Sequence, residues 1–232
     1  MAQPPDISES FKRDVDENLR RDQLRDFFKK NGSWLIAAVV LFLAVSGGMI
    51  WWRQHQMQVH GAETEKLAEV YKQIGSGNTS QAPQQLDELS KSGSKAVSAS
   101  AKFARAALAL QQNDTKRALG IYKSIADDSG MPDPYRRAAL IRQTALEFDS
   151  LKPEEVIARL APLAKPGEPW FGTAGEMTAL ALIKQGKKQE AGQLYAAIAK
   201  DNGAPETIRA RAVQVAGSLG VDASAAFVPQ AQ

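Results

Sequence analysis

The chain has 232 residues, 29 Lys and Arg against 26 Asp and Glu, two His and no Cys, and 44% of its positions are hydrophobic. Near-neutral charge with this apolar content excludes a disordered chain and gives no support to a nucleic-acid-coating protein. The absence of cysteine excludes disulfide staples, thiolate nucleophiles and thiolate-ligated zinc or iron–sulfur sites.

Residues 1–33 are hydrophilic, with opposite charges four apart at Asp16/Arg20, Glu17/Arg21 and Asp26/Lys30, a pattern that supports a partly helical, solvated tail. Ile7, Phe11, Val15 and Leu19 add a short apolar stripe to it. Residues 34–52, WLIAAVVLFLAVSGGMIWW, carry no charge. At ~1.5 Å per residue such a helix reaches roughly 28 Å, close to the ~30 Å hydrocarbon core of a bilayer. Trp34, Trp51 and Trp52 suit the two interfaces, and the run is longer than the apolar core of a cleaved signal peptide.

Lysine and arginine set the direction. Lys12, Arg13, Arg20, Arg21, Arg25, Lys29 and Lys30 precede the run, whereas only Arg53, Lys66 and Lys72 follow it as far as residue 72. Residues 1–33 are therefore expected in the cytoplasm, 34–52 across the membrane as an uncleaved anchor, and the rest beyond it. Within the span, Ala44, Gly47 and Gly48 offer a small-residue face for another membrane helix, although glycine is common in such helices in any case.

From 53 to 220 no sustained alternation suggests strands, and the pattern is helical throughout. FARAALALQQNDTKRALGIYKSIADDSGMP from Phe103 matches MTALALIKQGKKQEAGQLYAAIAKDNGAP from Met177. Ala118, Tyr122 and Ile125 in the first correspond to Ala191, Tyr195 and Ile198 in the second. At i, i+4 and i+7 these share one helix face, where the small residue lets a partner helix approach and the larger two fill the gap. Weaker copies occur at Ala82, Leu86, Leu89 and at Val156, Leu160, Leu163, so positions 82, 118, 156 and 191 lie 36, 38 and 35 apart. A tetratricopeptide repeat spans about 34 residues. The expectation is an all-α chain: one N-terminal transmembrane helix, then a tetratricopeptide-like solenoid of about four helix pairs with a capping helix.

The pairs are predicted at 60–75 with 82–91, 98–112 with 115–127, 134–148 with 153–163 and 172–185 with 188–200. A last helix runs from Pro205 to Leu219, and 221–232 form a disordered tail. Pro153 and Pro205 suit first-turn positions, and Pro162 should kink or end its helix. The first helices of stacked pairs line a groove. Phe103, Arg137, Ile141 and Trp170 are candidates to face it; the alternative is core packing for the three apolar residues and plain solvation for the arginine. An exposed Trp170 or Phe171 in the loop KPGEPWFGTAG would be a partner contact.

His55 and His60 are five apart, not the i, i+4 spacing that lets two imidazoles share a metal. Glu154/Glu155 and Asp127/Asp128 read as helix-end charges rather than catalytic acid pairs. No phosphate loop, dinucleotide fingerprint or nucleophile elbow is present. The chain is thus expected to be no enzyme and to take no cofactor, metal, small-molecule substrate or nucleic acid. A hydrolase built on the paired carboxylates is the alternative from another class.

The charged N-terminal segment, the anchor ending in GMIWWRQHQMQ and the stretch GEMTALALIKQGKKQEAGQLY carry a likeness spanning about Asp14 to Ala216. On these the chain resembles the YfgM-like family of ancillary SecYEG translocon subunits of Gram-negative bacteria. It departs in a longer cytoplasmic tail and in the residues from Val221 onward. The resemblance implies a single-pass inner-membrane protein with a periplasmic repeat domain beside the Sec translocon, meeting emerging secretory chains and a periplasmic chaperone. A scaffold for envelope assembly or cell division is the alternative.

Overall fold

The computed structural model describes residues 41–49, 51 and 61–224. The chain divides into two units, Met1–Gly61 and Ala62–Gln232. In the first, 41–49 is helical, and Leu41, Phe42, Leu43, Val45 and Met49 are exposed, as is Trp51. The tail helix, residues 34–40, Trp52, both histidines and residues 225–232 lie outside the described residues. Among the described residues, no helix is long and apolar enough to cross a membrane.

The described part of the second unit has no strand, in line with the sequence pattern. Its helices are α1 (61–75), α2 (Ala82–Leu89), α3 (Lys95–Gln111), α4 (Thr115–Ala126), α5 (Asp133–Glu147), α6 (Pro153–Leu160), α7 (Phe171–Lys184), α8 (Lys188–Lys200) and α9 (Glu206–Ser218). Local chemistry sets their starts. The Ser94 hydroxyl accepts from the Val97 N–H at 3.4 Å to begin α3, and an Asp114 carboxylate oxygen accepts from the Arg117 N–H at 2.9 Å to begin α4. Pro153 opens α6, and the Glu155 carboxylate accepts from the Lys152 N–H at 3.2 Å. Pro205 stands one residue outside α9, at its N-cap rather than in its first turn. Helix α6 stops at Leu160, short of the expected 163, because Pro162 offers no N–H to continue the ladder.

All four residue triads are buried: Ala82, Leu86, Leu89; Ala118, Tyr122, Ile125; Val156, Leu160, Leu163; Ala191, Tyr195, Ile198. Each clamps its helix onto neighbours. The first packs with Leu67 and Val70 of α1 and with Val97, Ala101 and Leu108 of α3, so consecutive pairs share a core rather than each closing its own.

The second and fourth pairs repeat each other down to single hydrogen bonds, 73 residues apart. Arg136 Nε donates to the Ala126 carbonyl at 3.3 Å, and Arg209 Nε to the Ala199 carbonyl at 3.2 Å, each serving a carbonyl at the end of the preceding helix. Asp128 and Asp201 each accept from the N–H two residues on, at 2.9 Å, and Pro132 and Pro205 cap the next helix. The tight turns match too: Asn113 has φ 60° where Gly186 has φ 79°, the left-handed region these two residue types tolerate best.

Val221 and Ala223, placed by composition in the tail, pack against the last pair. The Val221 N–H donates to the Ala216 carbonyl at 2.9 Å, and a Cβ on Gly192 would lie only 2.7 Å from Val221 Cγ2, so the return of the chain over α8 requires glycine there.

Candidate protein-interaction surface

Three sides of the first helices α3, α5 and α7 are occupied by their neighbours. On α3, Val97, Ala101 and Leu108 face the first pair, while Ala99, Ala106 and Ala109 face α4 and α5. Ser98 and Arg105 reach α2: the serine hydroxyl donates to the Ser90 carbonyl at 2.5 Å, and the guanidinium to Asp87 Oδ1 at 3.2 Å. At ~100° per residue the side left over carries Ala96, Ser100, Phe103 and Ala107.

The same construction holds on α5. Tyr135, Ala139 and Leu146 pack toward α4, Leu140 and Ile141 toward α6 and α7, and the remaining side holds Pro134, Ala138, Arg142 and Ala145. On α7 it holds Thr173, Met177 and Leu180, since Phe171 and Ala179 face α8 and α9 while Ala174 and Ala181 face α6. On α1 it holds Tyr71, whose hydroxyl donates to the Ser100 carbonyl of α3 at 3.1 Å. Tyr71 and Leu180, each 44% exposed, are the exposed large hydrophobic residues of the described second unit, and both fall on this shared face.

The sequence candidates divide. Phe103 borders the face but is half-buried, its ring 5.8 Å from that of Tyr122. Arg137 is engaged by Asp133 at 2.5 Å and Glu168 at 2.7 Å, which ties the loop before α7 to α5. Ile141 and Phe171 are buried and belong to the core, not to a contact surface: packing on three sides of a first helix leaves little room for an apolar side chain outside it. Trp170, at the N-cap of α7, is partly buried against the Val156, Leu160 and Leu163 cluster. Ala44, Gly47 and Gly48 lie on the helical segment 41–49, where a Cβ added to either glycine meets nothing within 4 Å. Tyr71, Ala107 and Leu180 escape sequence reading because nothing in their residue types marks the one uncovered side.

Arg142 stands exposed on this face, and the cations nearby on α7 and α9 are paired. Lys184 is paired with Asp149 at 2.8 Å and lies 4.5 Å from the centre of the Phe148 ring. Arg211 binds Glu176 in bidentate fashion at 2.7 and 2.6 Å, and the hydrogen bond to that carboxylate holds its pKa above the usual range. One acid of each pair makes a contact within the fold: Glu154 accepts from Gln185 Nε2 at 2.8 Å, and Asp128 from the Gly130 N–H. Among the described residues, no group of three or more His, Asp or Glu is placed to hold a metal ion.

Burial pushes the phenols of Tyr71, Tyr122 and Tyr195 above their ordinary pKa of about 10, and Glu176 pushes Tyr195 further. With the folded value raised, their contribution to stability is intact below pH ~10 and is lost as pH rises through the folded values. Absorbance titration at alkaline pH should show these phenols ionising later in the folded chain than in denaturant. Four tyrosines titrating together near the ordinary value in the folded chain would contradict this.

A stack of antiparallel helix pairs whose first helices share one uncovered face defines a helical-repeat interaction protein. The model of the tetratricopeptide repeat-like domain matches residues 25–216, and the chain belongs to that family. Domains of this kind are typically non-enzymatic modules for protein–protein interaction. None of the curated proteins and none of the solved structures is significantly similar to the chain.

Proposed function

We propose that this chain is a membrane-tethered interaction module of the bacterial inner membrane, ancillary to the Sec translocon. Residues 1–33 would lie in the cytoplasm, 34–52 in the bilayer and 53–220 in the periplasm, where the repeats meet emerging secretory chains and a periplasmic chaperone. The observation that carries the reading is the uncovered first-helix face, apolar or small at Tyr71, Ala107, Ala145 and Leu180, with Arg142 exposed among them. Such a face suits a largely apolar stretch of polypeptide. Support for the tether comes from Leu41, Phe42, Leu43, Val45, Met49 and Trp51, whose side chains are exposed in the folded chain and whose burial in lipid is favoured by roughly 25 cal/mol per Å². The tether then raises the local concentration of the module beside its partner.

Photo-crosslinkers at Leu180 and Ala44, with the full chain in its native membrane, test this. Translocon subunits are expected from Ala44, and a chaperone or nascent secretory chain from Leu180. Wall-synthesis or constriction proteins in their place would establish the envelope-assembly reading instead. Adducts from exposed Lys123 on the opposite helix layer, with none from Leu180, would move the contact off the first-helix face.

A further inference from the structure

Between α1 and α2 lies a cleft of ≈ 370 Å³, on a different part of the molecule from the first-helix face. Val70 and Leu89, both buried, form its floor, and Glu63, Glu69, Glu88 and Lys66 stand around it. Gln85 also lines it, with an Oε1 that is buried and accepts no hydrogen bond. A buried acceptor left without a donor is costly, which points to a missing partner group.

The repeat register sharpens the point. Counting three residues on from the first residue of each triad, Gln85 corresponds to Ile121 in the second pair and Leu194 in the fourth, both packed against core clusters, and to Arg159 in the third, which is paired with Glu147; each of these has its partners, whereas Gln85 Oε1 has none. In a stack each pair is covered by its neighbour, and no described helix pair precedes α1. Among the described residues the cleft of the first pair is left uncovered.

We propose that this cleft docks a cationic amphipathic helix of a partner protein, which extends the stack by half a pair. Three carboxylates, of which Glu63 accepts from the Ser92 hydroxyl and Glu69 from Gln73, against one ammonium make the lining complementary to Lys and Arg, and an acidic helix would meet like charge. A lysine or arginine reaching inward supplies the donor that Gln85 Oε1 lacks, while the apolar side of the helix covers Val70 and Leu89. The proposal is independent of the reading of the first-helix face.

The test is fluorescence anisotropy with the full chain in mild detergent and a labelled peptide of about 15 residues built from Leu, Ala and Lys with the lysines on one side. Its counterpart with Glu in place of Lys is the control. The cationic peptide should bind, more weakly as salt rises. Reversing the two exposed acids together, Glu69→Lys with Glu88→Lys, should weaken binding about tenfold in the same detergent. Gln85→Leu, which changes no charge, should weaken it by a smaller factor, and Leu180→Lys should leave it unchanged. Absent binding, equal binding of the acidic peptide, or indifference to the charge reversal would overturn the proposal. So would a doubling of the mass of the peptide-free chain that Glu88→Lys abolishes, because the slot would then belong to a second copy.

Discussion

Replacing Phe171 with alanine should cost about 3–5 kcal/mol of folding stability, the range for deleting a fully buried aromatic side chain. Its ring is wholly enclosed in the cluster of Tyr195, Ile198, Ala212 and Ala216, and it lies 3.4 Å from where a Cβ on Gly175 would stand, so the backbone around it is already close-packed. Little can collapse into the space left behind. Because each pair depends on its neighbours, the loss should appear in urea as an early transition of the C-terminal pairs ahead of the rest. Trp170→Ala, at a partly buried cap position, should cost less. If the two variants shifted the urea midpoint equally, or Trp170→Ala shifted it more, the placement of Phe171 in the core would be refuted.

The second large effect is asymmetric. The Arg105 side chain is 7% exposed and its Nε donates to Asp87 at 3.2 Å, while its Nη1 is buried and finds no partner; Asp87 itself is 55% exposed. Removing the carboxylate leaves a buried cation uncompensated, whereas removing the cation removes the problem. Asp87→Ala should therefore destabilise by about 1–3 kcal/mol, below the full figure for a buried pair because water screens the half-exposed aspartate. Arg105→Met, which keeps the aliphatic bulk, should be neutral or stabilising. Thermal unfolding of both variants decides it, and a loss with Arg105→Met as large as that with Asp87→Ala would show that the ion pair itself holds the first two pairs together.

Much of this architecture can be read from residues that act locally. Pro153 announces a helix start whatever surrounds it, and the Ala118, Tyr122, Ile125 spacing allows only one buried face, whereas the Ser94 cap starts α3 three residues ahead of the expected 98. Features that depend on three or more helices meeting are not readable in that way. Ile141 looks like a groove candidate in sequence and Phe171 like a loop contact, yet the stack covers both from a third helix. Arg105 sits unremarked in FARAA, and its burial follows only from α2 closing over it. The cleft between α1 and α2 is made by surfaces twelve or more positions apart in the chain, each an ordinary polar helix side when taken alone.

The 73-residue correspondence of Arg136 with Arg209, and of the carbonyls they serve, makes the corner after α4 and the corner after α8 the same joint. A lineage carrying such a joint can lengthen or shorten by a whole block of helices through one recombination event, because the incoming helix finds its docking arginine, its capping proline and its turn aspartate already in place. The reach of the molecule is then adjustable by copy number, without any new corner having to evolve.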